Sequence, residues 1–112
     1  MELTVEDMPG GITRAVLAGR LDIAGASSVD LKFSVLAGSK KALVVDLAAV
    51  SFVASMGLRT LLLCARTMTA KGGRMALASP QPIVDQVLQT SGIGTLIGVY
   101  PTLDAAIAAL AG

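Results

Sequence analysis

The amino-acid sequence predicts an α/β domain in which a mixed sheet of four to five strands packs with about four helices. Short apolar runs alternate with segments of helical periodicity after an N-terminal hairpin, which is the pattern of α/β domains. The chain has 112 residues, enough for one hydrophobic core, so we expect a single domain spanning 1–112. Hydrophobic residues make up 54% of it and charged residues 15%, a composition that excludes intrinsic disorder.

The N-terminal segment is predicted to form an antiparallel hairpin. An alternating stretch, Leu3–Val5, precedes the turn signal Pro9–Gly11, and the aliphatic run Ile12–Leu21 supplies the second strand. Helical periodicity begins at Ala26, so we expect the first helix to start there and to end at Gly38. Its candidate caps are Ser27 and Ser28, and its core positions are Val29, Phe33 and Leu36.

The middle of the chain is predicted to hold parallel βαβ units. The nearly continuous apolar run Ala42–Leu47 fits a strand covered on both faces. A short apolar link leads to a second helix that stops at Gly72–Gly73, and the strand Arg74–Ala78 comes next. A third helix is expected to begin at Pro80 and to end at Gly92. The core positions are Leu58, Leu61, Leu62, Ala65 and Met68 in the second helix, and Ile83, Val84, Val87 and Leu88 in the third.

The C-terminal segment is predicted to add one strand, Leu96–Tyr100, and one helix, Pro101–Leu110. Thr102 is the expected cap of this closing helix. Its apolar face consists of Leu103, Ile107 and Leu110.

The composition excludes several classes of function. Nine basic and eight acidic residues give a net charge of +1, and aromatics make up only 3% of the chain, which argues against nucleic-acid binding. The absence of His removes the commonest general base and the commonest transition-metal ligand. The single cysteine, Cys64, cannot form an internal disulfide and is expected to be a small buried hydrophobe. We therefore expect a protein that is not an enzyme and needs no metal or cofactor.

The apolar stretches are too short to cross a membrane. Ala42–Val50 and Leu103–Ala111 each contain an aspartate, and both fall short of the ~20 apolar residues that a spanning helix needs. The N-terminus is acidic where a signal peptide would be basic. We therefore expect no membrane insertion, a cytoplasmic location and a reduced Cys64.

Two acidic residues, Asp22 and Asp46, are expected at strand ends, where the loops between strands and helices gather. They could form a catalytic carboxylate pair there. The alternative is that each caps a helix or braces a loop.

The most unusual stretch runs from Val45 to Leu58, where a buried strand leads through small residues into a helix with Ser55 at or beside its N-cap. This stretch resembles the signature of the STAS-domain family, specifically bacterial anti-sigma-factor antagonists, and a STAS-like fold follows from the resemblance. The residues shared with that signature are Asp46, Leu47, Val50, Phe52, Ser55, Gly57 and Leu58, and the further landmarks are Gly19–Asp22, Gly72–Gly73 and Ser91–Ile93.

The resemblance implies a regulatory module that binds an anti-sigma factor acting also as a serine kinase, and so frees a sigma factor. It makes Ser55 the candidate phosphoacceptor, with phosphorylation releasing the partner. The chain departs from the family pattern at Ala54, where the family has Asp, and at Met56, where it has Ser or Thr. Plain capping by Ser55, and a constitutive binder that is never phosphorylated, are the alternatives.

The second helix also shows an interface pattern. Arg59, Leu63 and Arg66 share a face away from its core stripe, and apolar residues beside arginine are typical of interface centres. Leu31 and Val35 lie off the core stripe of the first helix and mark either a second contact or a wide buried face. The predicted partner-binding residues are Asp22, Ala54, Ser55, Met56, Gly57, Arg59, Leu63 and Arg66.

Two other functions remain open at this point. The same surface could dock an ATPase or scaffold, as in STAS subunits of lipid-transport and stress-signalling complexes. Alternatively, a groove near Asp22 and Ser55 could bind a small ligand such as a nucleotide or lipid.

Overall fold

The structure is a computed structural model that describes residues 1–111. These residues form five strands and four helices: two strands make an N-terminal hairpin, and four helices then alternate with three strands. The strands are β1 (Glu2–Met8), β2 (Ile12–Leu21), β3 (Ala42–Val53), β4 (Arg74–Ala78) and β5 (Gly98–Tyr100), and the helices are α1 (Ile23–Ser39), α2 (Ser55–Ala70), α3 (Pro82–Thr90) and α4 (Leu103–Ala111).

The five strands form one mixed sheet in the order β1-β2-β3-β4-β5. β1 runs antiparallel to β2, and every other neighbouring pair is parallel. The larger core lies between one face of the sheet and helices α1, α2 and α3, whereas α4 packs on the opposite face over Val44, Ala76 and Ala78. This architecture confirms the predicted α/β fold class, including the hairpin and the parallel βαβ units.

The central strand β3 is longer than predicted. The segment after Leu47, expected to be an apolar link, continues as strand to Val53. Two irregularities in its pairing with β2 let this extension keep its apolar side chains in the core. The buried positions of this extension are Val50 and Val53, each three residues after the previous buried position. Strict alternation from Leu47 would place Val50 on the opposite face of the sheet.

The predicted start of the first helix was wrong. α1 begins at Ile23 because Asp22 is its N-cap, and the Asp22 carboxylate accepts a hydrogen bond of 2.8 Å from the Gly25 N–H. Ser27 and Ser28, the predicted caps, lie inside the helix, where the Ser28 hydroxyl donates to the Gly25 carbonyl. The helix ends at Ser39, one residue beyond the predicted Gly38.

Other boundaries in the C-terminal half differ from the prediction by one or two residues. α3 begins at Pro82, two residues after the predicted Pro80, and has Gln81 as its N-cap. β5 begins at Gly98, since Ile93–Thr95 forms a turn of 3-10 helix and Leu96 is exposed. Thr102 caps α4 as predicted, accepting a hydrogen bond of 3.1 Å from the Ala105 N–H.

Cys64 is buried inside α2, as predicted, and is 3% exposed. Burial away from solvent raises the pKa of its thiol to about 11. The thiol therefore stays protonated and serves as a packing group. Within residues 1–111, no helix combines the length and apolar character that crossing a membrane requires.

Candidate partner-binding site

The start of α2 is held against the end of β2 by close backbone contacts. The Ala54 N–H donates a hydrogen bond of 3.0 Å to the Leu21 carbonyl. Gly57 packs so tightly on Leu21 that a Cβ at this position would lie 2.5 Å from the same carbonyl oxygen. The chain needs glycine at 57 for this close approach, which fixes the position of Ser55 two residues earlier.

Ser55 is the first residue of α2 and is exposed. The N-cap is Ala54, which has no side-chain acceptor, and no side chain caps this helix. Ser55 therefore lies beside the N-cap, as predicted, and the alternative in which its side chain caps the helix is wrong. The first turn presents backbone N–H groups that have no intrahelical partner, and these lie beside an exposed hydroxyl.

Four of the other predicted partner-binding residues of α2 lie on its solvent side. The prediction is wrong for Gly57, which is buried against Leu21. Met56 is 43% exposed and Leu63 is 49% exposed. Arg59 and Arg66 are exposed on the same helix, which carries no acidic residue. Apolar and positively charged side chains therefore alternate along the exposed side of α2. We call the surface formed by Ser55, Met56, Arg59, Leu63 and Arg66 the α2 face.

Asp22 lies at the end of β2, beside this face, but its carboxylate is already engaged. The hydrogen bond from the Gly25 N–H lowers the pKa of Asp22, and Arg20, 3.5 Å from the Asp22 carboxylate, lowers it further. Arg20 also stacks on the ring of Phe52, with its guanidinium 4.3 Å from the ring centroid. Asp22 is therefore a structural cap that also holds Arg20 in place.

Asp46 does not end a strand, so the prediction that placed it beside Asp22 was wrong. It lies in the middle of β3 and is 5% exposed. Arg14 donates two hydrogen bonds to one carboxylate oxygen, of 2.6 and 3.1 Å, and the Ala48 N–H donates to the other. Arg14 also pairs with Glu6 at 2.8 Å. Asp46 is thus a buried charge neutralised by its partners, and the two aspartates do not form a catalytic pair.

The outer side of α1 is exposed to solvent, which bears on the two alternatives for Leu31 and Val35, a second contact or a wide buried face. Leu31 is 76% exposed and Val35 is 60% exposed, so a wide buried face is wrong. No sequence pattern indicates the side-chain hydrogen bond that links α1 to α2. The Thr60 hydroxyl donates a hydrogen bond of 2.7 Å to the Asp30 carboxylate, and periodicity cannot pair residues so far apart along the chain.

Comparison with known proteins identifies the family. The model of the STAS domain matches residues 9–106 of this chain. The chain belongs to the STAS domain family. Over 110 residues, the STAS domain is 28% identical to the BtrV protein of Bordetella bronchiseptica, which is named as an anti-sigma factor antagonist. That match covers 97% of this chain and 94% of the relative.

Solved structures of anti-sigma factor antagonists share the fold of this STAS domain. The antagonist from Mycobacterium paratuberculosis has a TM-score of 0.88 and 28% identity, covering 99% of this chain and 94% of its own. Unphosphorylated SpoIIAA has a TM-score of 0.77 and 26% identity, and the match covers 95% of this chain and 93% of SpoIIAA. Phosphorylated SpoIIAA from Bacillus has a TM-score of 0.72 and 25% identity, and the match covers 96% of this chain and 98% of SpoIIAA. The predicted family resemblance is confirmed.

Proposed function

We propose that this STAS domain is an anti-sigma factor antagonist that binds its partner through the α2 face without catalysing a reaction itself. The partner is an anti-sigma factor that is also a serine kinase, and its capture frees a sigma factor. The observation that carries the proposal is the exposed Ser55 hydroxyl at the uncapped start of α2, next to exposed Met56. Whole-chain similarity to anti-sigma factor antagonists supports the same conclusion.

The α2 face has the chemistry of an interface centre. Met56 and Leu63 provide apolar area, and methionine adapts its shape to a partner surface. Arg59 and Arg66 can each pair with a carboxylate of the partner, since α2 contains no acid that would compete. The face therefore favours a partner surface that combines apolar and acidic residues.

Phosphorylation of Ser55 would change this face without disturbing the fold. A phosphate at a helix N-terminus is favoured by the free N–H groups and by the helix dipole. It adds a charge of about −1.5 to −2. Ser55 and Arg59 are one helical turn apart, so the phosphate would pair with Arg59 and withdraw it from the partner. The bound partner would then lose an ion pair and face a like charge.

A binding experiment with matched variants tests the proposal. Affinity of the purified chain for its cognate anti-sigma factor is measured calorimetrically for wild type, Ser55→Ala, Ser55→Glu and Ser39→Glu. We expect Ser55→Ala to bind like wild type and Ser55→Glu to bind at least about tenfold more weakly. Ser39→Glu introduces the same charge at the exposed C-terminal end of α1 and should have no effect.

The possible outcomes separate the parts of the proposal. Incubation with the kinase and ATP should label the wild type on Ser55, as mapped by mass spectrometry, and should not label Ser55→Ala. Binding without labelling, with Ser55→Glu unaffected, would leave a constitutive binder and refute the switch. Failure to bind any anti-sigma factor, together with recovery of a transporter ATPase from the lysate, would refute the antagonist function.

A further inference from the structure

The outer side of α1 is an apolar surface that the fold leaves open to solvent. Leu31 and Val35 are exposed there, whereas Val29, Phe33 and Leu36 on the inner side of the same helix are buried in the core. A helix that is apolar on both sides is normally covered on both sides. The domain covers only the inner side of α1, so the outer side has the character of a contact surface.

The middle of this outer side carries no charge. A helix turns by about 100° per residue, so four residues lie within about 40° of Leu31 on the helix surface. They are Ala24, Ser27, Val35 and Gly38, and all of them are exposed. Three of the four are small, which lets another helix approach Leu31 and Val35 closely. We call the surface formed by Leu31 and these four residues the α1 face.

The two charged residues of α1 border the α1 face on opposite edges. Asp30 and Lys32 are the only charged residues of this helix, and they lie about 100° to either side of Leu31. The hydrogen bond of 2.7 Å from Thr60 to the Asp30 carboxylate shows that the Asp30 edge lies beside α2. Neither Asp30 nor Lys32 forms an ion pair within residues 1–111. Each edge can therefore take an opposite charge from another molecule.

This arrangement is complementary to itself. A two-fold axis running alongside α1 would place two α1 helices side by side in the same direction, with Leu31 against Leu31 of a second copy. Rotation about that axis exchanges the edges, so Asp30 of each copy would face Lys32 of the other. The α1 face itself is neutral, unlike the α2 face, which carries two arginines and suits an acidic partner. A second copy of the chain is therefore the occupant that its charges favour.

We propose that the α1 face is a homodimer interface, formed by two α1 helices packed in parallel about a two-fold axis. The inference is independent of the proposed partner, because the α1 face shares no residue with the α2 face. One helix from each copy gives a contact at the small end of specific interfaces, which bury at least ~1,200 Å². We therefore expect a weak dimer with a Kd of about 0.1 mM.

Sedimentation velocity of the full chain tests the inference, at concentrations from about one tenth to about ten times that Kd. We expect the wild type to change from mostly monomer to mostly dimer over this range. Leu31→Glu brings two carboxylates together at the centre of the interface and should weaken dimerisation at least about tenfold. Ile83→Glu adds the same charge at an exposed apolar residue of α3 and should dimerise like wild type.

Two charge-reversal variants test the pairing of the edges. Asp30→Lys makes both edges of the α1 face basic, and Lys32→Glu makes both acidic, so each variant alone should dimerise about tenfold more weakly than wild type. An equimolar mixture of the two should recover association, because every edge then meets an edge of opposite charge.

Several outcomes would overturn the inference. They are a wild type that stays monomeric at about ten times the expected Kd, a folded Leu31→Glu protein that dimerises like wild type, loss of the dimer in Ile83→Glu, and a mixture that associates no better than its components. A monomeric wild type whose Leu31→Glu variant loses affinity for the anti-sigma factor would instead assign the α1 face to that partner.

Discussion

Replacement of Gly57 by alanine should destabilise the domain through a single contact. Gly57 lies in the first turn of α2, where the helix meets the end of β2. The added Cβ would lie 2.5 Å from the Leu21 carbonyl oxygen and 2.6 Å from the Leu21 Cγ. Both distances are below any normal contact, and one of the atoms belongs to the backbone. The helix must therefore move away from β2, which also breaks the packing that positions Ser55.

The size of the effect follows from two opposing terms. Overpacking at a buried contact costs about 1–3 kcal/mol. Alanine gains up to about 1 kcal/mol over glycine in a helix interior, and less in the first turn. The net loss for Gly57→Ala is thus about 1–2 kcal/mol, which lowers the Tm of a domain of this size by roughly 4–10 °C.

Gly38→Ala is the matched control, because a Cβ at Gly38 in α1 has no atom within 4 Å and the residue has no positive φ. It should leave the Tm unchanged or raise it by a few degrees, since alanine stabilises a helix by up to about 1 kcal/mol relative to glycine. Thermal unfolding followed by circular dichroism measures both variants. A Gly57→Ala protein that unfolds no earlier than wild type would show that the close approach between α2 and β2 is absent in solution.

Three further experiments, two with variants and one with a thiol reagent, probe the charged and titratable groups. Arg14→Ala leaves the buried Asp46 carboxylate without its main partner; since Arg14 is partly exposed, we expect a loss of about 2–3 kcal/mol in urea unfolding, and wild-type stability would refute the pairing. Asp22 has a pKa below its ordinary value of 3.8, so its contribution to stability is present above that pH and is lost as the pH falls through the lower folded value. Asp22→Asn keeps a capping oxygen but removes this acid-sensitive part, so unfolding curves of the two proteins should converge on acidification; curves that stay equally separated would contradict the assignment. Cys64, with a pKa of about 11, should react with a thiol reagent at mildly alkaline pH only after unfolding, and rapid labelling of the native protein would contradict its burial.

Most of the fold could be predicted from hydrophobic periodicity. The turn at Pro9–Gly11, the continuous run of β3 and the stripes of α2 and α4 each identify their element locally. The start of the first helix was predicted wrongly because serine and aspartate share the same preference for the N-cap position. Capping by Asp22, one of the alternatives for this residue, is confirmed, and the serines lie more than one turn later, inside the helix.

The long-range contacts of the site region could not be predicted in the same way. Arg14 and Asp46 are 32 residues apart, and Asp30 and Thr60 are 30 residues apart. Each pair meets only through the register of β2 with β3 or the packing of α1 on α2. The placement of Ser55 was close, because its exposure depends on the local strand-to-helix turn.

The position of Tyr100 gives the molecule a built-in optical reporter. The chain has one tyrosine and no tryptophan, so its intrinsic ultraviolet emission comes essentially from this ring, which packs in the apolar cluster beneath α4. Detachment of α4 from the sheet would expose the ring and change that emission, whereas docking of another polypeptide on α2, on the opposite face, would leave it largely unaltered. The integrity of the α4 side of the domain could therefore be followed in unlabelled protein while a partner is titrated onto the α2 face.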